Sequence, residues 1–586
     1  MSSPDRKEPP AHDDELQRPT GLGPNTKRRL HDSSVTFEEY HYYALRTRAR
    51  EDADHGKQES GGRLSGVLFG REIKSDGARD ENNNASFPAE GHASPRAAIT
   101  ADEWANASRA LRTASWGAGF YLITTDILGP FGVPFAIGTL GWGPGLALFT
   151  AFALVASYSG FLLWKVYLGL DSTEYPLLNY GDIVLRLFGS FARHIVNILQ
   201  VVQFIAITGQ VIIQNGQGIS QAARFRICYA VCCVIFTAVG FGVSQIRTLR
   251  NYGMISALAV CLNLLTIFMT MGVMAHSPPN FAISVLGSSG SATLPDTIAP
   301  DKQGHYPSIR HYGGLPNPNS LVGSINGLMQ SVFAFGGAQM FVEIMAEMRR
   351  PYDFIKSLCA AQFFIWVVYL TYGCYVYHFQ GQYTYQVAYQ GVSIYGWQVV
   401  GDILVGISGL ISAGLYSNIG IKVFYNNVLT DLLGAPPLTT RVGKLIWAVL
   451  VPLWWSTAFV VAASIPDYFG FVSVVAAVCI LQFCYTFPPI IALGYSIRKN
   501  AMHRDDGFDP RTGVVTRCDD GPKRWIRGFF SGAWYVNVWH VVIAGGALAT
   551  AGLGTYASIE SMIETFQIPQ VNAFTCTSPL DLRHAS

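Results

Sequence analysis

Between Trp116 and Tyr556 the chain alternates long apolar runs with short segments in which Lys, Arg, Gly and Pro collect. Each run is about 20 residues, the length a helix needs to cross a hydrocarbon core of about 30 Å, and so predicts a membrane-spanning helix. Eleven spans are expected, near 117–140, 144–168, 191–215, 227–245, 252–275, 321–345, 358–379, 399–419, 444–464, 468–494 and 533–556. The fold class is therefore an all-α polytopic membrane protein. Residues 1–112 are rich in Pro, Ser, Asp, Arg and Gly with few aliphatic clusters. Such a stretch buries too little apolar surface to offset its ordering entropy, which predicts a disordered cytoplasmic tail. Residues 113–556 form the transmembrane domain, and 557–586 are expected as an extracytoplasmic tail.

Two of the apolar runs carry helix breakers. The first contains Gly129, Pro130, Gly132 and Pro134, and the sixth contains the pair Gly336 and Gly337. At membrane depth a broken helix survives only where protein or a cavity satisfies its backbone. The Pro-, Gly- and Ser-rich connection from His276 to Ser320 divides the first ten spans into five plus five, and the breaks fall at corresponding places. Five is odd, so the second half enters from the opposite face, the arithmetic of an inverted repeat with one extra helix.

A broken helix presents free N–H groups at one end and free carbonyls at the other, each end carrying about half an elementary charge. A zwitterion suits that arrangement. Its carboxylate would accept from N–H groups around Gly129, Pro130, Phe131 and Gly132, and its ammonium would donate to carbonyls near Phe335, Gly336 and Gly337. Phe333 and Phe335 are candidates for an aromatic lid. Close helix packing is the competing reading of these glycines. Asp126, just before the first break, is either a proton-coupling carboxyl or the N-cap of the second half of the helix. Glu343 and Glu347, one turn apart at the inner end of the sixth span, are gate candidates that would pair with a basic residue of another inner segment; the competing reading is a solvated interfacial cluster. Gln203, Gln210, Ser408, Ser412 and Tyr416 read as interhelical hydrogen-bonding groups, and His378 and His540 as interfacial.

Composition agrees with a membrane protein: 50% of residues are hydrophobic and 14% charged, with mean hydropathy +0.25. A net charge of +2, without a basic face, excludes nucleic acid as a partner. Of ten cysteines, eight fall in apolar spans and only Cys518 and Cys576 lie in polar segments, so neither a disulfide framework nor a metal set is expected. No catalytic or phosphate-loop motif is present, which predicts no enzyme activity and no cofactor. With the N-terminus in the cytoplasm, inner segments hold twenty-one Lys and Arg and outer segments five, which orients the chain N-terminus in, C-terminus out.

The segment Phe333-Ala-Phe-Gly-Gly-Ala-Gln-Met-Phe-Val-Glu-Ile-Met-Ala-Glu-Met-Arg-Arg-Pro-Tyr-Asp-Phe354 resembles the sixth-helix signature of the amino acid/auxin permease family, of the fungal amino acid permease type. Gly129-Pro-Phe-Gly-Val-Pro-Phe-Ala136 is similar to that family's first helix, and Tyr175-Pro-Leu-Leu-Asn-Tyr-Gly-Asp182 to its first inner loop. The first-helix pattern departs from the family's G-x-G-x-L-x-x-P by placing Pro130 inside the break. The resemblance implies a secondary active amino-acid transporter in a lipid bilayer, coupled to protons, with alternating access around a midplane site. Sodium-coupled or uncoupled carriage of another small organic solute, and a transporter-like nutrient receptor, are the alternatives. The plasma membrane is expected over the vacuolar membrane.

Overall fold

A computed structural model describes residues 35–59, 112, 114–129, 131–246, 249–318, 321–436, 438, 440–465, 468–502, 506–510, 512–519, 521–566 and 573–581. Nine helices among them are long and apolar enough to cross a membrane. They occupy nine of the eleven expected positions. The fourth position holds the shorter helix Tyr229–Val243. The first holds two helices, Trp116–Ile127 and Val133–Leu140, on either side of a break.

Local chemistry explains the ends. Ser115 caps the first span by accepting from the Ala118 N–H. Gly141, at φ +78°, turns the chain from the first span into the second, Trp142–Leu170, in a conformation that favours glycine. Gly132 and Pro134 restart the first span, Pro134 sitting where a helix has no use for its N–H. The sixth span runs as Leu321–Ala334, opens, and resumes through a 3₁₀ turn at Ala338–Met340 into Phe341–Glu347.

Helix neighbours follow the five-plus-five arrangement. The first span packs on the fifth and seventh, and correspondingly the sixth packs on the tenth and second. The third span (Ser190–Ala222) packs on the eighth (Tyr395–Phe424) and ninth (Arg441–Ala463), while the eighth also packs on the fourth. Exchanging each helix for its counterpart five places on maps these pairings onto one another. The tenth span contains two π-helical stretches, Ala476–Ile480 and Gln482–Thr486, beside the sixth-span break.

The stretch expected to be disordered from 1 to 112 contains a helix, Phe37–Glu59. The remainder of that tail, 1–34 and 60–111, lies outside the described residues. Phe37, Tyr40 and Ala44, spaced three and four apart, are buried on one side of it. The helix docks where the second and tenth spans end. His41 Nδ1 is 3.1 Å from the Gly169 carbonyl, and Arg517 and Arg524 donate to Glu38 at 2.7 and 2.9 Å. Arg48 and Arg112 both donate to the buried Asp171 that follows the second span, at 3.1 and 2.8 Å.

A disulfide joins Cys228, at the start of the fourth span, to Cys576. The expectation of no disulfide is thereby corrected. Two backbone hydrogen bonds, Tyr229 N–H to the Cys576 carbonyl and Ala230 N–H to the Thr575 carbonyl, run beside it. The C-terminal segment 573–581 therefore returns to the same face of the bundle as the loop between the third and fourth spans.

Candidate functional site

The first-span break is built from carbonyls that lose their helical partners and take side-chain ones instead. The Thr125 carbonyl accepts from Ser412 at 3.4 Å and the Asp126 carbonyl from Tyr416 at 3.0 Å. The Ile127 carbonyl accepts from Tyr369, and the Leu128 carbonyl from Asn263. Hydroxyls and an amide from the fifth, seventh and eighth spans thus replace the missing turn, which is what a bilayer demands of irregular backbone. Ser412 and Tyr416 act across helices, as the sequence suggested. Tyr369 and Asn263 were not singled out; a lone polar atom in an apolar run was their only signal.

At the second break the N–H groups of Phe335 and Gly336 fold back on the Val332 and Phe333 carbonyls at 3.4 and 3.1 Å. Gly336 lies against the tenth span, where an added β-carbon would meet Ile480 at 2.6 Å. Gly337 lies against the first, where it would meet Ile127 at 2.7 Å and the Asp126 carboxylate at 2.8 Å. The two breaks therefore touch.

Between them is a cavity of about 90 Å³. The first span contributes Thr125, Asp126, Gly129, Phe131 and Gly132, and the sixth Gln330, Phe333, Gly336 and Gln339. Gln210, Gln214 and Asn215 line it from the third span, and Ser408, Ser412 and Tyr416 from the eighth. Gly129, Phe131, Gly132, Phe333 and Gly336 thus lie where a site was expected. Phe335 does not: it is turned into an aromatic cluster with Phe149 and Tyr369, ring centroids 5.1 and 5.8 Å away. Gly337 is a contact between the breaks and does not line the cavity. Pro130 lies outside the described residues.

Asp126 differs from one of its two readings. It is in the last turn of Trp116–Ile127, and the second half begins at the N-cap Gly132 without a side-chain cap, so Asp126 does not cap it. Both carboxylate oxygens are buried, and neither has a hydrogen-bond partner among the described residues. The C-terminal end of a helix carries partial negative charge, which adds to the cost of holding an anion there. Such a carboxyl calls for a proton, a cation or the ammonium of a ligand.

The two gate candidates have separate surroundings. Glu343 is buried and accepts from Gln200 of the third span at 2.8 Å and from the Tyr180 N–H at 3.3 Å. Glu347, half-exposed, lies 3.5 Å from Lys422 of the eighth span. Only Glu347 makes the cross-helix ion pair; Glu343 is neither ion-paired among the described residues nor part of a solvated cluster. The chain entering the first span is tied to the same place, since Ala114 N–H donates to the Glu347 carbonyl at 3.0 Å and Arg349 N–H to the Ala114 carbonyl at 2.9 Å.

The family described as transmembrane amino acid transporter protein matches residues 112–504, which takes in both breaks and the cavity. A protein of Neurospora crassa named N amino acid transport system protein is 23% identical over 474 residues, 78% of this chain and 87% of its own. A transmembrane transporter of Fusarium pseudograminearum is 22% identical over 387 residues, 65% of this chain and 75% of its own. One of Gibberella moniliformis shares the same identity and coverage. A match this extensive, over a polytopic helical bundle with two touching helix breaks around a polar cavity, settles the kinship: the chain belongs to the transmembrane amino acid transporter family.

Proposed function

We propose that the protein is a proton-coupled amino-acid symporter that alternates access around the cavity between the two breaks. The observation that carries this reading is Asp126, a residue of the cavity lining whose carboxyl is buried without a hydrogen-bond partner among the described residues. A proton neutralises it without displacing an amino acid. The N-terminal end of Val133–Leu140, next to Gly132, offers N–H groups to the amino acid's carboxylate, and carbonyls at the sixth-span break accept from its ammonium. Glu347 and Lys422, with the backbone pairing of Ala114 to Glu347 and Arg349, close the inner end and would separate when it opens.

The sodium-coupled alternative draws on the oxygens around the first break: the Thr125 and Asp126 carbonyls with the Ser412 and Tyr416 hydroxyls, a hard donor set. The Cys228–Cys576 bond supports a C-terminus outside the cytosol, because disulfides persist in oxidising compartments. With eleven spans the N-terminus is then cytosolic, and the plasma membrane is the proposed location. The experiment is uptake of a labelled amino-acid panel by proteoliposomes under an inward proton gradient, an inward sodium gradient, or neither. Stimulation by the proton gradient alone is expected; stimulation by sodium alone replaces the proton with sodium, and no uptake of any amino acid overturns the reading.

A further inference from the structure

Asp402, in the eighth span, is a second buried carboxyl, and both of its oxygens are without a hydrogen-bond partner among the described residues. It is 7% exposed and does not line the central cavity. Its neighbour across the helix seam is Gly218 of the third span, where an added β-carbon would stand 2.9 Å from Asp402 Oδ1. One turn inward on the third span, Asn215 faces the eighth span, its Nδ2 2.8 Å from the β-carbon position of Gly409. Asn215 lines the cavity. Asp402, Gly406 and Gly409, at spacings of four and three, therefore lie along one seam with Gly218 and Asn215. Val405, three residues on, already lines the cavity, so Asp402 is about 5 Å from the cavity's edge along the helix.

The outer end of this seam is polar. Gln221 Nε2 and Gln398 Nε2 donate to the Gln390 carbonyl at 3.3 and 2.6 Å. The side-chain oxygens of Gln221 and Gln390, and the Ser220 hydroxyl, are buried without partners among the described residues. Buried polar atoms left so by the protein are ordinarily satisfied by water.

We propose that Asp402 is an outer proton-binding site that loads the coupling proton from the exterior and passes it along the third and eighth span seam to Asp126. A hydronium ion outside gives up a proton, which forms an O–H bond on the Asp402 carboxylate and leaves a water molecule behind. Water in the seam then takes that proton inward, leaving Asp402 ionised again, and the Asp126 carboxylate receives it. The glycines at 218 and 409 let the third and eighth spans close on each other, so that Asp402 and Asn215 occupy the space a side chain would otherwise fill.

The titratable or charged groups near this end of the seam, on the elements packed against it, are Tyr229, Cys232 and Cys233 of the fourth span, His276 of the fifth, Tyr389 of the loop before the eighth, and Tyr395 with Arg224 lying over its ring at 4.5 Å. None of them is ion-paired or hydrogen-bonded to Asp402 among the described residues. The carboxyl therefore has no fixed counter-charge to hold it ionised, as a site that binds and releases a proton requires.

The inference rests on the proton-coupled reading, and its test separates the two. Proteoliposomes carrying the wild type, Asp402→Asn or Asp402→Glu are compared for gradient-driven uptake at external pH 4.5 to 7.5 and for exchange of internal against external amino acid. Asp402→Asn is expected to lose at least tenfold of the gradient-driven rate and to flatten its pH profile, while exchange, which needs no net proton movement, persists. Asp402→Glu restores the profile with a shifted midpoint. A wild type indifferent to the proton gradient overturns the coupling reading itself, and the relay with it. A coupled wild type whose pH profile Asp402→Asn reproduces overturns Asp402 alone. Should Asp402→Asn not fold, Gly218→Ala, which presses on the carboxyl without changing charge, decides by the same profile. The infrared carboxyl band between pH 4.5 and 7.5 gives a second readout: one titrating component should be absent from Asp402→Asn, and an unchanged spectrum counts against the site.

Discussion

Gly337 of the sixth span lies directly against Asp126 of the first: a β-carbon there would come within 2.8 Å of the carboxylate and 2.7 Å of Ile127. The two broken helices meet at a glycine and an acid, with no room between them. Overpacking a buried contact costs about 1–3 kcal/mol where neighbours can yield. Gly337→Ala should lower uptake several-fold, and Gly337→Val should abolish it with surface expression intact. Uptake and surface biotinylation decide the matter, and normal uptake by a normally expressed Gly337→Val removes this contact from the mechanism.

The spans were readable because a bilayer fixes the length of an apolar run, and the breaks because Gly and Pro interrupt such runs. What lay within a turn of each break was not. The helix stops at Ile127 and restarts at Val133, so Asp126 belongs to an ending and not to a beginning. Phe333 and Phe335 are two residues apart in an unwinding turn, and one faces the cavity while the other packs on Phe149. Glu343 and Glu347 share a helix face but reach different neighbours, Gln200 and Lys422, which helical spacing alone does not reveal. The tail helix did leave a trace in the spacing of Phe37, Tyr40 and Ala44. The pairing of Cys228 with Cys576 left little, its partners being 348 residues apart.

That disulfide gives a prediction about sidedness. A tag after Ser586 should be labelled from outside intact cells, and one at Met1 should not. Cys576→Ser should free the C-terminal segment and lower thermal stability, since closing a long loop contributes about 2–4 kcal/mol. Labelling of both tags from one side contradicts the eleven-span topology.

The docked helix Phe37–Glu59 should respond to acid in two stages. Burial pushes the His41 pKa below its ordinary 6.5, with Lys499 adding to the effect, so the imidazole is held neutral in the docked state. Its contribution is complete above 6.5 and declines as pH falls below that value. Burial pushes the carboxyls of Asp171 and Glu38 up, but Arg112 beside the first and Arg517 beside the second hold both below their ordinary 3.8 and 4.5. Their contribution is present in full above those values and is lost only as pH falls further. Hydrogen exchange of residues 37–52, corrected for intrinsic rate, should rise modestly between pH 7.5 and 5.5 and steeply only below about pH 4. His41→Gln should remove the first stage; if it does not, another group senses the pH.

The sharpest prediction concerns Asp126→Asn. An asparagine keeps the size of the side chain and removes its charge, so the last turn of Trp116–Ile127 and the carbonyl bonds to Tyr416 and Ser412 should survive. What cannot survive is the alternation between charged and neutral forms. On the proposed coupling, this buried carboxyl, with no hydrogen-bond partner among the described residues, is neutralised by a proton before the occluded state forms and releases that proton on the inner side. The amide imitates the neutral form permanently, and the empty carrier is no longer obliged to shed a proton before returning. Uptake driven by a pH gradient should fall to the rate seen without one, while exchange of internal for external amino acid continues. Helix capping offers no competing explanation for this outcome, because the second half-helix starts at Gly132 without any side-chain cap. Gradient-driven accumulation by Asp126→Asn at the wild-type rate would falsify the coupling role proposed for this carboxyl.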